Sequence, residues 1–181
     1  MAKDNIKSKK GFTIIEVVLV LAIAGLIFLM VFVALPALQR GQRDTQRRDD
    51  MGRFISQVMQ YQTNNGRKVP GNTTADWNDT TTGFIAKYLT SGGDTFADPD
   101  GNNYQVGGVC IVTSNTACGT GGNGTQKKPN DNLTWDADKD KIYVYKNAKC
   151  NGENAVYVAS SPNQMAIRYK LEGAGTYCGN N

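Results

Sequence analysis

One carboxylate in this chain stands where a carboxylate is costly. Glu16 lies inside an apolar run, and from Phe12 to Leu35 only Thr13, Glu16 and Gly25 interrupt that apolar character. An acid placed in hydrocarbon costs on the order of 3 kcal/mol or more unless it is paired, so an intramembrane acid is a functional group by default. Nothing else in the run can pair with it. Its natural partner is a cation from another chain, or an amino terminus made by cleavage close by. Scission between Gly11 and Phe12 would leave an α-ammonium one helical turn from Glu16.

The remaining residue types set narrow limits on catalysis. The chain has no histidine, which removes the commonest acid–base group and metal ligand. No catalytic triad and no metal cluster is spelled out, so the sequence reads as a non-enzyme with no cofactor and no resident metal. Asp94, Asp98 and Asp100 offer the hard oxygen atoms that calcium takes. The plainer reading is a turn with solvated carboxylates, because the full calcium-loop pattern is missing. Asp136, Asp138 and Asp140 make a weaker case, lacking both the glycine and the terminal glutamate. Gly119 to Gly124 is not a phosphate loop, since no Gly-Lys-Ser/Thr element follows it. Four cysteines, Cys110, Cys118, Cys150 and Cys178, suggest two disulfides in an exported chain. A tetrathiolate zinc site is disfavoured by the absence of C-x-x-C pairs.

The element that carries Glu16 is long enough to span a bilayer, which needs roughly 20 apolar residues. It shows no polar face, unlike the helix of a soluble domain. A secretory signal peptide fits poorly, because the run is too long and no small-x-small site follows it. Lys3, Lys7, Lys9 and Lys10 precede the run. They stay cytoplasmic by the positive-inside rule, so the carboxyl-terminal domain faces outward. These lysines, offset by Asp4, carry +3 of the formal net charge of +4 and leave the rest at +1. That near-neutral remainder, with no aromatic residues between its arginines, argues against nucleic-acid binding.

Lys9-Lys10-Gly11-Phe12-Thr13-Ile14-Ile15-Glu16 followed by the apolar helix resembles the class III signal of type IV prepilins and the related pseudopilins of type II secretion. The resemblance covers about the first third of the chain. It implies cutting after Gly11 by a prepilin peptidase and N-methylation of Phe12. It implies that Glu16 neutralises the Phe12 ammonium of a neighbouring subunit as a helical homo-oligomeric filament assembles. Gly25 sits where the family often has glycine. The family's helix proline usually lies about one turn before Pro36, where this chain has Val33.

The implied fold is α+β: a long amino-terminal helix packed on an antiparallel sheet. The expected organisation is a leader at 1–11, a membrane or filament-core helix at 12–38, an amphipathic continuation at 39–62 and a head at 63–181. The helix would reach roughly 80 Å from Phe12 to Thr63. Its continuation carries a stripe at Met51, Phe54, Ile55, Val58 and Met59 that belongs against a sheet. Pro36, Gly41 and Gly52 are its weak points, and Asn64-Asn65-Gly66 stops it. Arg40, Arg43, Arg47, Arg48 and Arg53 read as a solvated face, or as contacts to neighbouring subunits or anionic headgroups.

In the head, residues 63–82 read as a polar loop, with Trp77 as a lid over the core, and 83–89 as a short helix. Asp98-Pro99-Asp100-Gly101 spells a turn. Strands are expected at 104–112, 141–145, 155–159 and 165–171. Cys110–Cys118 and Cys150–Cys178 is the simplest pairing of the three that four cysteines allow. Pilins often close the carboxyl-terminal region with a disulfide, so the resemblance supports the second bridge. The N-x-Ser/Thr matches at Asn72, Asn78, Asn123 and Asn132 read as chance.

Function follows from the same resemblance: a pilus subunit, held in the cytoplasmic membrane as a precursor and then carried in an extracellular filament, with prepilin peptidase and the assembly machinery as partners. The alternative is a pseudopilin or minor pilin of a secretion or DNA-uptake system. An anchored enzyme is the third class and lacks site residues.

Overall fold

The computed structural model describes residues 11–157, 161–173 and 175–181. Leader residues 1–10 and the last two residues of the strand expected at 155–159 lie outside the described residues. The chain divides into two compact units, Met1–Gln39 and Arg40–Asn181.

Helix α1 runs Ile14–Asn64 and includes Pro36. In the first unit its described side chains are exposed as far as Leu35, apart from half-buried Ala24, so no stripe of this stretch is covered. This is a helix long and apolar enough to cross a membrane. In the second unit the helix buries Met51, Phe54, Ile55 and Val58, each worth about 1.5–3 kcal/mol when fully taken from water. It ends where Gly66 and Arg67 take φ of 61° and 64°. Such left-handed residues favour a helix stop.

The sheet has five strands in the order β2-β1-β3-β6-β7. These are β1 Gln105–Ser114, β2 Ala117–Cys118, β3 Lys141–Lys146, β6 Met165–Lys170 and β7 Thr176–Asn180. A separate hairpin pairs β4 Ala148–Asn151 with β5 Asn154–Tyr157. The α+β class is as the sequence implies, but the sheet is mixed. β1 and β3 run parallel, from Gln105 opposite Lys141 to Ile111 opposite Lys146, and the other pairs are antiparallel. The reason is the connection. Residues 115–140 form β2, a glycine-rich loop and the short helix α4 Trp135–Asp138, and they carry the chain back to the end at which β1 began. A parallel pair needs a crossover of that length, and a hairpin cannot make one. The glycine-rich loop lies along the outer edge of β1, with Thr125 N–H donating to Gly107 O at 2.9 Å. Gly124 has φ 81°, and a Cβ there would fall 2.6 Å from Gly107 O.

Both faces of the sheet are covered, which explains why β3 and β6 are buried almost throughout. On one face Val106, Ile142, Val144, Ile167 and Tyr169 share a core with the α1 stripe. On the other Val112, Leu133, Tyr143, Tyr145, Ala155 and Ala166 pack together. Two short helices complete the first core. Helix α2 Thr74–Asn78 interrupts the stretch expected as loop at 63–82 and opens with a Thr73/Asp76 capping box. Helix α3 Phe84–Tyr88 falls inside the expected 83–89. Trp77 is fully buried. It stacks on Phe54 at 5.7 Å between ring centroids and meets Phe84 edge-on at 5.2 Å.

Candidate functional site

Two groups of residues stand apart from ordinary packing. The first is the start of α1. Residues 11–13 are not helical, and Thr13 caps the helix: Glu16 N–H donates to Thr13 O at 3.2 Å and lies 3.4 Å from Thr13 Oγ1. Glu16 therefore sits in the first turn, at the positive end of the helix dipole, where a carboxylate is favoured. Among the described residues no cation pairs with it. Phe12 is 84% exposed, and a Cβ on Gly11 would meet nothing within 4 Å. The Gly11–Phe12 peptide bond thus lies in open, irregular chain next to an unpaired acid.

The second group is an ion cluster built by α1 inside the Arg40–Asn181 unit. Arg47 is 0% exposed. Its Nε and Nη2 donate to the two oxygens of Asp98 at 2.6 and 2.8 Å, a bidentate fork. Nη1 donates to Asp44 Oδ1 at 3.0 Å and Glu172 Oε2 at 3.1 Å, and Nη2 also reaches Asp100 Oδ2 at 3.2 Å. The Trp135 ring lies under the guanidinium, 4.6 Å from its carbon. One turn back, Arg43 forks Glu172 at 2.8 and 2.7 Å. Asp44 accepts the backbone N–H groups of Glu172 and Gly173. Tyr169 donates its hydroxyl to Asp98 at 2.9 Å, and Tyr104 donates to Asp50 at 3.1 Å.

Ionisation follows this wiring. Burial works against the Arg47 charge, but its bonds to Asp98, Glu172 and Asp44 carry its pKa above the ordinary arginine value. Burial likewise raises Asp98, and its bonds from Arg47, the Asp100 N–H and Tyr169 outweigh that and hold it below the usual carboxylate range. Glu172 is held down at about 2, chiefly by its bond to Arg43. The cluster fixes the rotation and height of one stretch of α1 against the loop carrying Asp98 and the turn after β6.

Residues 6–32 match the family described as the prokaryotic N-terminal methylation motif. That match at the amino terminus supports a type IV pilin-like prepilin. No curated protein and no solved structure matches the chain.

The arginines of α1 correct the sequence expectation of a face solvated all round. Arg47 is buried and Arg43 is half-buried. Arg53 donates to Leu89 O at 2.8 Å and to Asp94 Oδ2 at 2.9 Å. Arg47 is thus closed off inside the Arg40–Asn181 unit, while the Arg43 and Arg53 side chains keep 32% and 36% of their surface exposed. Arg48 remains exposed, and Arg40 keeps only a 3.6 Å contact to Glu172.

The same pairing changes the reading of the aspartates. Asp94, Asp98 and Asp100 each face an arginine. Asp138 accepts Tyr143 Oη–H at 2.6 Å and Thr134 N–H at 2.8 Å, with Lys127 at 3.3 Å. Among the described residues no group of three or more acidic, cysteine or histidine side chains is placed to hold a metal ion. The cysteines form Cys110–Cys118 and Cys150–Cys178 bridges, across separations of 8 and 28 residues.

Sequence reasoning missed Arg47 and Asp98 as a buried pair. The signal was present in the phase. Asp44, Arg47, Met51, Phe54, Ile55 and Val58 recur at helical spacing, so the two charged residues fall on the buried stripe.

Proposed function

We propose that this prepilin is a structural subunit of a type IV pilus. Residues 1–11 form its leader, 12–38 its membrane and filament-core helix, 39–62 the continuation of that helix and 63–181 its head. The observation that carries the reading is an exposed membrane-length apolar helix with one unpaired acid, Glu16, in its first turn, directly behind Gly11–Phe12. Prepilin peptidase cuts after Gly11, and Phe12 becomes the N-methylated terminus. The subunit waits in the cytoplasmic membrane with its head outward. It then leaves the bilayer by exchanging lipid for neighbouring helices. Glu16 meets the Phe12 ammonium of a neighbour and sets the register, a use for which a buried charge pair is suited because it rewards one alignment. Head-to-tail contacts of this kind that do not close produce an open helical filament.

The deciding experiment is intact-mass and amino-terminal peptide mass spectrometry on sheared surface filaments and on membranes. A dominant filament species beginning at Phe12 is expected. A species beginning at Phe12 in membranes but absent from filaments assigns the chain to a pseudopilin or minor-pilin role. Functional protein that retains Met1 to Gly11 overturns the assembly scheme. Glu16→Ala should be cut normally and yet fail to enter filaments.

A further inference from the structure

Lys146 closes β3 and reaches the loop between α1 and α2. Its Nζ donates to Asn72 Oδ1 at 2.6 Å and to Pro70 O at 3.2 Å. Both acceptors are neutral. Burial pushes the amine below the usual lysine value, against a through-space pull from Asp76 in the other direction, which eases loss of the proton that blocks its lone pair.

Asn72 is held in place from its own side. Asp76 accepts the Thr73 N–H at 2.8 Å and the Thr73 hydroxyl at 2.7 Å, and it also takes the Asn72 N–H. Its carboxylate lies over Gly71, where any Cβ would collide with it. Trp77 Nε1 donates to Gly71 O at 3.0 Å and pins the same loop to the core. An amine and a carboxamide 74 residues apart in sequence are thus kept in contact by two separately anchored elements. Such fixed proximity is what raises the rate of an otherwise slow intramolecular step.

The geometry points to Lys146 and Asn72 as a site of intramolecular isopeptide formation. The Lys146 Nζ lone pair attacks Asn72 Cγ and a C–N bond forms. The Cγ–Nδ2 bond then breaks, and that nitrogen departs as ammonia, carrying the proton that Nζ gives up. One amide is made as one is lost, so no oxidant, cofactor or energy source is consumed. Asn72 is exposed, which lets ammonia leave to solvent. Asp76 is a positioning residue, holding the backbone on which Asn72 sits. The product ties the α1–α2 loop to the end of β3 with a bond that reductants do not open, unlike the two disulfides.

The test is reduced intact mass and tandem mass spectrometry of proteolytic peptides from the full chain purified from membranes. The expected result is a parent lighter than its reduced sequence by one ammonia, together with a branched peptide joining the segments around positions 72 and 146. Both features should vanish in Lys146→Arg and in Asn72→Ala. A full-mass parent yielding separate peptides overturns the proposal. So does an ammonia loss without a branched peptide that mild base reverses, which marks a succinimide at Asn65-Gly66, Asn123-Gly124 or Asn151-Gly152. The branched peptide is sought in the parent itself, so the result does not depend on how the variants fold.

Discussion

Arg47→Met isolates the contribution of the ion cluster. Methionine keeps much of the side-chain length but leaves Asp98, itself 3% exposed, with only the Tyr169 hydroxyl and the Asp100 N–H as partners. Breaking a buried pair from one side costs about 3–5 kcal/mol, because the surviving charge is left uncompensated. Set against a total of about 5–15 kcal/mol for a typical domain, that is a large share. With a urea slope of about 2 kcal/mol per molar, the midpoint should fall by about 1.5–2.5 M. Fully buried Trp77 makes intrinsic fluorescence the natural probe, read on the processed chain in detergent micelles. Adding Asp98→Asn to Arg47→Met should return at least about 1 kcal/mol, since a neutral amide tolerates the site better than an orphaned carboxylate. Acidification should also narrow the gap between Arg47→Met and the parent, because an unpaired Asp98 can then take up a proton. A loss under about 0.5 kcal/mol, the range of an ordinary surface change, would refute the reasoning. So would a double variant no more stable than Arg47→Met.

Three further outcomes follow from the same geometry. Glu172 is held at about 2 against an ordinary 4.5. Its folded pKa is depressed, so its contribution is present above pH 4.5 and drains away as pH falls from there towards 2; acid titration of stability should show that loss, and Arg43→Gln should flatten it. Cys150→Ser with Cys178→Ser opens a 28-residue separation and should cost about 3.6 kcal/mol by loop entropy, whereas opening the 8-residue Cys110–Cys118 separation should cost about 2.5 kcal/mol; chemical denaturation of the two double variants ranks them. Phe54→Ala removes a ring in contact with Trp77, Phe84 and Phe96 and should cost about 3–5 kcal/mol, with Trp77 emission shifting towards that of a solvated indole.

The elements that were legible in the sequence are those whose cause is local. The apolar run of α1 and the β-branched and aromatic runs of β1, β3 and β6 each declare themselves within a few residues. What stayed hidden depends on partners far away in sequence. The parallel setting of β1 and β3 is decided by the path of residues 115–140, which no local pattern encodes. Strand β7, Thr176-Tyr177-Cys178-Gly179-Asn180, has no apolar alternation. It is a strand because β6 offers a free edge and Cys150 offers a sulfur. Helix α2 was concealed in a polar stretch by its capping box, whose acidic member is Asp76 in place of the commoner glutamate.

The segment 43–53 misleads in a more informative way. Charge on a helix is ordinarily a mark of solvent, yet here the charged positions Asp44 and Arg47 continue the buried stripe of Met51, Phe54 and Val58. An apolar stripe at those positions would be chemically indistinguishable from the membrane-grade run that precedes it, and the same face would suit lipid as well as the head. Arginine and aspartate remove that ambiguity. In hydrocarbon each costs on the order of 3 kcal/mol, so this stretch gains nothing from the bilayer. It becomes favourable to bury only where Asp98, Asp100 and Glu172 supply the opposite charge and Trp135 supplies a ring face. The charges therefore specify which part of one continuous helix packs within the Arg40–Asn181 unit, a distinction that hydrophobicity alone could not draw.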